Sequence, residues 1–292
     1  MADEPAIADV IRARSSWRSY DGRPLEPADR ARLEEFTAAL EAGPFGGGVR
    51  LQLVEASEGD RAELKALGTY GIVRGARTFL AGAVGRRPMD MEDYGYAFER
   101  AVLHATALGL GTCWLGASFN RSGFARAINL GKNEILPAVS PVGYVAARRT
   151  AVDGVTRFFA RSKKRKPWEE LFFDGAFGRP LSREAAGPYA EVLDMVRLAP
   201  SASNRQPWRV VRGPGDVFHL FIRRTPGYNS KLINAPGGDL QRLDMGIACC
   251  HFELTARELG LAGKWERLEP PPSLELAERV EYVGSWLAAA PI

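Results

Sequence analysis

The sequence predicts an α+β protein in which one chain contains two similar halves. Three observations carry this reading. At 292 residues the chain is long for one domain and suits two of ordinary size, each with its own core. Gly22-Arg23-Pro24-Leu25 recurs as Gly178-Arg179-Pro180-Leu181, and the offset of 156 positions runs on without a gap through Glu35/Glu191, Pro44/Pro200 and Val54/Val210. A second block, Asp93, Gly95, Ala97, Leu103, Ala105, Leu108, Gly109, Leu110 and Trp114, recurs at an offset of 151 as Asp244, Gly246, Ala248, Leu254, Ala256, Leu259, Gly260, Leu261 and Trp265.

Each half reads as helix, loop, strand, long helix ending at glycine, then strand. The first helix is expected to begin near Glu26, with Pro27 in its first turn, and to end by Gly43, while its partner stops before Pro200. Val49 to Ala56 and Val217 to Ile222 alternate as half-buried strands do. Ala97, Ala101, Ala105 and Leu108 lie at helical spacing over Asp93 to Leu108, and Gly109 supplies a left-handed stop. Thr112 to Gly116 and Val139 to Ala147 read as buried strands.

Composition excludes whole classes. With 46% hydrophobic and 25% charged residues, neither a disordered nor a membrane protein is indicated. The acidic N-terminus lacks the apolar run of a secretory signal, and no stretch of about eighteen uncharged apolar residues occurs. Cys113, Cys249 and Cys250 form a sparse, odd set suited to a reducing compartment, so a cytoplasmic location with no membrane partner is expected. The run Arg161, Lys163, Lys164, Arg165 and Lys166 is by itself either a solvated surface or a nucleic-acid patch.

Three isolated histidines and cysteines without CxxC spacing give no metal signature, and neither GxSxG nor a Walker lysine occurs. Gly46-Gly47-Gly48 reads as a turn. Two segments stand out instead. Arg14-Ser15-Ser16-Trp17-Arg18-Ser19-Tyr20 alternates basic and hydroxyl residues that could surround a phosphate dianion. Ala199-Pro200-Ser201-Ala202-Ser203-Asn204-Arg205-Gln206-Pro207-Trp208 concentrates small polar groups and amides that could face a flat ligand.

Together with Gly109-Leu110-Gly111-Thr112-Cys113-Trp114-Leu115-Gly116 and Val142-Gly143-Tyr144, these segments resemble the nitroreductase superfamily, in its fused-duplicated TM nitroreductase type. That family consists mostly of homodimers with two FMN at the interface. The resemblance therefore implies a nitroreductase-like fold of two pseudo-symmetric interlocked halves, 1–160 and 161–292, sharing one FMN in a monomer. It implies that Arg14, Ser15, Ser16 and Arg18, with Lys163 and Arg165 of the basic run, hold the phosphate. Pro200, Ser201, Ala202, Ser203 and Asn204 would contact the flavin from the other half. Leu115 and Gly116 would lie beside flavin N5, to which the family offers a backbone N–H, and Tyr70 and Gly71 would border the pyrimidine edge. Ser15, Ala202 and Leu115 depart from the residues common in the family.

No side chain is assigned a catalytic role, because the flavin supplies the chemistry. The implied reaction uses NADH or NADPH to reduce a small electrophile such as a nitroaromatic, quinone or enone. A non-catalytic flavin carrier or sensor is the alternative, and a nucleic-acid module is disfavoured. The repeat also implies that the second site is lost. Pro44-Phe45-Gly46-Gly47-Gly48 stands where the PSASN loop would recur, and Glu170 to Ala176, with two acids and two phenylalanines, stands where the arginines would.

Overall fold

The computed structural model describes residues 5–40, 42–55, 69, 71–147, 164–227 and 237–289. Tyr70, Lys163 and the expected boundary at 160/161 lie outside them. Among the described residues no helix is long and apolar enough to cross a membrane.

The chain opens with helix α1 (Ile7–Ala13), earlier than the first helix expected from the sequence. Helix α2 (Pro27–Ala38) follows, with Glu26 as N-cap residue and Pro27 at N1. Strands β1 (Val49–Glu55) and β2 (Thr78–Gly85) pair antiparallel. Helix α3 (Asp90–Ala107) leads to β3 (Gly111–Thr112), then come helix α4 (Arg121–Ala127), β4 (Glu134–Ile135) and β5 (Val139–Gly143). These strands form a sheet in the order β1-β2-β5-β3, with β4 beside β2.

From Phe172 onward the plan recurs. Strand β6 (Phe172–Asp174) precedes helices α5 (Arg183–Ala186) and α6 (Tyr189–Leu198), divided at Gly187-Pro188, where proline cannot continue the first helix. Strands β7 (Trp208–Arg212) and β8 (Phe218–Arg223), helix α7 (Leu240–Glu258), β9 (Gly263–Glu266) and β10 (Val280–Ala288) complete a sheet ordered β6-β7-β8-β10-β9. Its last four strands repeat the β1-β2-β5-β3 order element for element.

The long helices end alike. Gly109 (φ +77°) and Gly260 (φ +72°) take the left-handed turn, and Leu110 N and Leu261 N donate back to Ala105 O and Ala256 O, at 2.9 and 2.8 Å. Helices α3 and α7 cross at the seam through two equivalent glycines. A Cβ on Gly95 would collide with Leu243 O, and one on Gly246 with Glu92 O. Both pairs are related by the 151 offset, so each helix offers the other the same patch, as in an isologous dimer contact. The main core is continuous across the seam, joining Tyr94, Phe98 and Val102 of α3 to Ile247 and Phe252 of α7.

Two expected strands are shorter than anticipated. The ladder of β3 stops after Thr112 because Cys113 N donates to the side-chain oxygen of Ser140 (2.9 Å) instead of a backbone carbonyl, and pairing resumes only as a bridge of Leu115 to Val139. Strand β5 ends at Gly143, beyond which Val145 bridges Tyr20.

Candidate functional site

Arg14 to Tyr20 leave α1 as an extended strip instead of continuing the helix. Ser16 bridges Thr112 of β3 in parallel, Trp17 N donates to Thr112 O (2.8 Å), and Tyr20 N donates to Arg74 O (2.9 Å). The strip is thus held between β3, Arg74 and the end of β5. Gly75 permits the approach, since a Cβ there would strike Tyr20 O. Helix α1 itself packs on α3, α6 and α7, and its first N–H groups, Ile7 N and Ala8 N, donate to the carboxylate of Glu258 at the end of α7. The first segment of the chain is seated on the second half.

The loop after α6 supplies the opposite wall. Ser203, Asn204 and Gln206 all have φ near +50°, a region costly for residues with a Cβ, and the loop is held there by side-chain hydrogen bonds. Ala202 N donates to Asp244 Oδ1 (2.9 Å) and Gln206 N to Ser201 Oγ (2.9 Å). The equivalent Asp93 of the first half accepts from Phe45 N and Gly47 N, both at 2.7 Å. One aspartate of each long helix therefore pins the loop of its own half. Asp244 Oδ2, however, is buried without a hydrogen-bond partner among the described residues, and burial holds this carboxyl well above the usual range.

The basic run is stitched to the same loop. Asn204 Nδ2 donates to Lys164 O (2.8 Å), Lys166 N to Gln206 Oε1 (2.8 Å), and Arg165 Nη1 to Asn204 Oδ1 (3.3 Å). Arg197 Nε donates to Lys166 O (2.8 Å).

Electrostatics joins the two walls. Burial pushes the Arg165 guanidinium down to about 10, and the nearby charges of Arg14 and Arg197 push the same way. Arg18 is lowered by burial, and the Cys113 thiol is raised by burial against the pull of Arg18, Arg14 and a hydrogen bond from Ser16. Arg14 thus stands within electrostatic reach of both Cys113 and Arg165, and its Nε is buried with no hydrogen-bond partner among the described residues. A desolvated cluster of like charges with a buried orphan donor suits a dianion, and a phosphate of charge about −1.5 to −2 would satisfy it. The residues present fit the phosphate of FMN.

Other expected members fare differently. Leu115 N donates to Val139 O (2.9 Å), so this N–H is already committed, and the side chain is buried against Phe119 and Phe124. Gly116 is the member of that pair still open to the role, and its backbone lies so near α7 that a Cβ would meet Leu240. Gly71 is exposed, with φ +75°, in a turn three residues before Arg74, which lines the arginine strip. Tyr70 and Lys163 lie outside the described residues. Glu170 to Ala176 do not mirror the strip: β6 runs parallel to β7, at the opposite edge of its sheet from β9. The expected acidic wall of a second site is therefore not placed there.

Sequence reasoning missed Arg197, which carries no signal beyond its place near the end of an amphipathic helix. It also missed the role of Asp244, although its pairing with Asp93 in the repeat was visible.

A solved structure described as a "putative nitroreductase" from Thermotoga maritima superposes with a TM-score of 0.61 at 19% identity, covering 98% of this chain and 95% of that one, which establishes the fold. A nitroreductase family protein from Clostridium difficile covers 56% of this chain and 94% of its own (20% identity, TM-score 0.42). A structure described as a "putative nitroreductase in complex with fmn" from Desulfovibrio desulfuricans covers 52% of this chain and 96% of its own (22% identity, TM-score 0.39). No curated protein matches the chain. The family model described as "Putative TM nitroreductase" matches residues 6–256, nearly the full length, and the chain belongs to that family.

Proposed function

We propose that the chain is an FMN-dependent oxidoreductase that takes electrons from NADH or NADPH and passes them to a small electrophile such as a nitroaromatic, quinone or enone. One observation carries the reading: Arg14 of the N-terminal strip, whose buried Nε has no hydrogen-bond partner among the described residues, stands within electrostatic reach of Arg165, which donates to Asn204 of the opposite loop. When bound, FMN would supply the hydride chemistry. Arg14, Arg18 and Arg165 would hold its phosphate, the Pro200–Asn204 loop would fix one side of the ring, and Gly116 would offer backbone beside it. Halves 1–160 and 161–292 would each contribute one wall, so a single chain completes the site, and we expect one FMN per monomer.

The test is the visible spectrum of the purified protein. Flavin absorbance near one per chain, bleached by a nicotinamide and restored by an acceptor, supports the reading. Bound flavin that neither nicotinamide bleaches would favour a carrier or sensor. Unchanged FMN affinity in Arg14→Ala would remove the strip from the site. Equally tight FMN binding by residues 1–160 alone would refute a site built from both halves.

A further inference from the structure

A cleft of about 180 Å³ lies between the middle of the α2–β1 loop, helices α3 and α7, and strand β9. Part of its lining is the repeat counterpart of residues in or beside the site described above. Gly43 and Pro44 correspond to Ala199 and Pro200 at offset 156, and Lys264 and Trp265 correspond to Cys113 and Trp114 at offset 151. The chemistry has changed. Arg100 and Arg257 line the cleft where the repeat partners are His251 and Thr106.

Three cations therefore face one carboxyl, that of Glu253, which is already 2.5 Å from Arg257 Nη2. Lys264 reaches Glu266 (2.9 Å) and is largely exposed. Arg100 makes no ion pair among the described residues; its guanidinium stands 5.8 Å from the centre of the Phe36 ring. Tyr96 and Trp265 close the cleft with aromatic surface. The volume falls below the roughly 300 Å³ at which pockets for drug-sized ligands begin, so the occupant must be small.

We propose that this cleft, at the place where the repeat would put a second flavin, binds a small organic anion whose carboxylate or phosphate group pairs with Arg100 and Lys264. The duplicated site has then not been erased but converted to a different ligand. The acidic segment Glu170 to Ala176 does not oppose this, because it lies at the other edge of the sheet.

Calorimetric titration of succinate, benzoate and inorganic phosphate into the full-length, FMN-loaded protein tests the proposal. At least one probe should bind with a stoichiometry of one. Arg100→Gln, and independently the surface variant Lys264→Gln, should weaken it roughly tenfold or more. The same titration into flavin-free Arg14→Ala protein should be unchanged, which separates this cleft from the arginine strip whatever the fate of the flavin reading. The proposal is overturned by no heat from any probe up to about 10 mM, by binding indifferent to Arg100→Gln, by binding lost in Arg14→Ala, or by a second FMN per chain displaced by the anion.

Discussion

His251 Nε2 lies 2.9 Å from Glu99 Oε1, and both side chains are fully buried where α7 meets α3. His251 Nδ1 faces Met195 O (2.9 Å), which can only accept, so Nδ1 carries its hydrogen. Glu99 Oε2 accepts from Trp114 Nε1 (2.6 Å), next to the Leu115–Gly116 segment. One proton is held between the histidine and the carboxylate. Glu99→Gln can satisfy every one of these groups as a neutral set and should change stability by no more than about 1 kcal/mol. His251→Ala leaves the carboxylate buried and should cost about 3–5 kcal/mol in denaturant unfolding. Equal losses in the two variants would contradict the shared proton.

The glycine crossing gives a second expectation. Gly95→Ala and Gly246→Ala each put a methyl group into a backbone carbonyl of the facing helix, so each should destabilise by about 1–3 kcal/mol or more. The double variant should cost less than the sum, because the first substitution already parts the helices. Additive losses in urea titration would show that the two contacts are independent.

Asp244 gives a pH signature. Its folded carboxyl is raised above its unfolded value, so its contribution is fully present below about pH 4 and is lost as pH rises through the folded value. Asp244→Asn keeps an acceptor for Ala202 N and removes the titration. The melting temperature of the variant relative to the parent should therefore increase from pH 4 towards pH 8. A difference that does not vary with pH would show that Asp244 stays ionised.

Lys166 has the opposite sense. Burial, aided by Arg209 and other nearby arginines, pushes its ammonium down to about 8. The unfolded chain holds that proton up to about 10.4, so folding with a charged Lys166 costs stability below pH 8, and the cost fades as pH rises from there to about 10.4. In flavin-free protein Lys166→Met should melt higher at pH 7, with the gain shrinking by pH 10. Its backbone hydrogen bonds to Gln206 and Arg197 are unaffected by the change.

Arg165→Ala should weaken FMN binding by roughly one to two decades, the range for a lost charge-assisted hydrogen bond, while costing folding far less. The folded protein already bears the desolvation of that guanidinium, as its lowered proton affinity shows. Asn204→Ala should act in the same direction through the loop. Flavin fluorescence titration against melting temperature separates the two effects.

Most of the architecture was legible because the repeat exposes it. Gly109 and Gly260 marked both helix ends, and the Asp93/Asp244 and Gly95/Gly246 pairs proved to be the loop anchors and the helix crossing. Helix α1 escaped notice because seven residues carry too little periodicity, and it is held by packing on distant helices and by Glu258. The β3 strand was overextended because nothing in the sequence shows that Ser140 will take the Cys113 N–H. The arginine strip and the loop were both visible as motifs. Arg197 was not, since its charge matters only once the tertiary fold brings Arg165 beside it.

The seating of α1 against Glu258 also dictates an order of events during synthesis. Ile7 and Ala8 emerge from the ribosome well ahead of helix α7, and the carboxylate that receives their N–H groups is made about 250 residues later. At roughly 5–20 residues per second that delay is on the order of 10–50 s. Throughout it the nascent chain carries Val10 and Ile11, buried in the finished protein, without the completed helix α7, one of the three helices against which α1 packs. The arginine strip is tethered directly behind them, so the helix it leaves is fully seated only once α7 has been made.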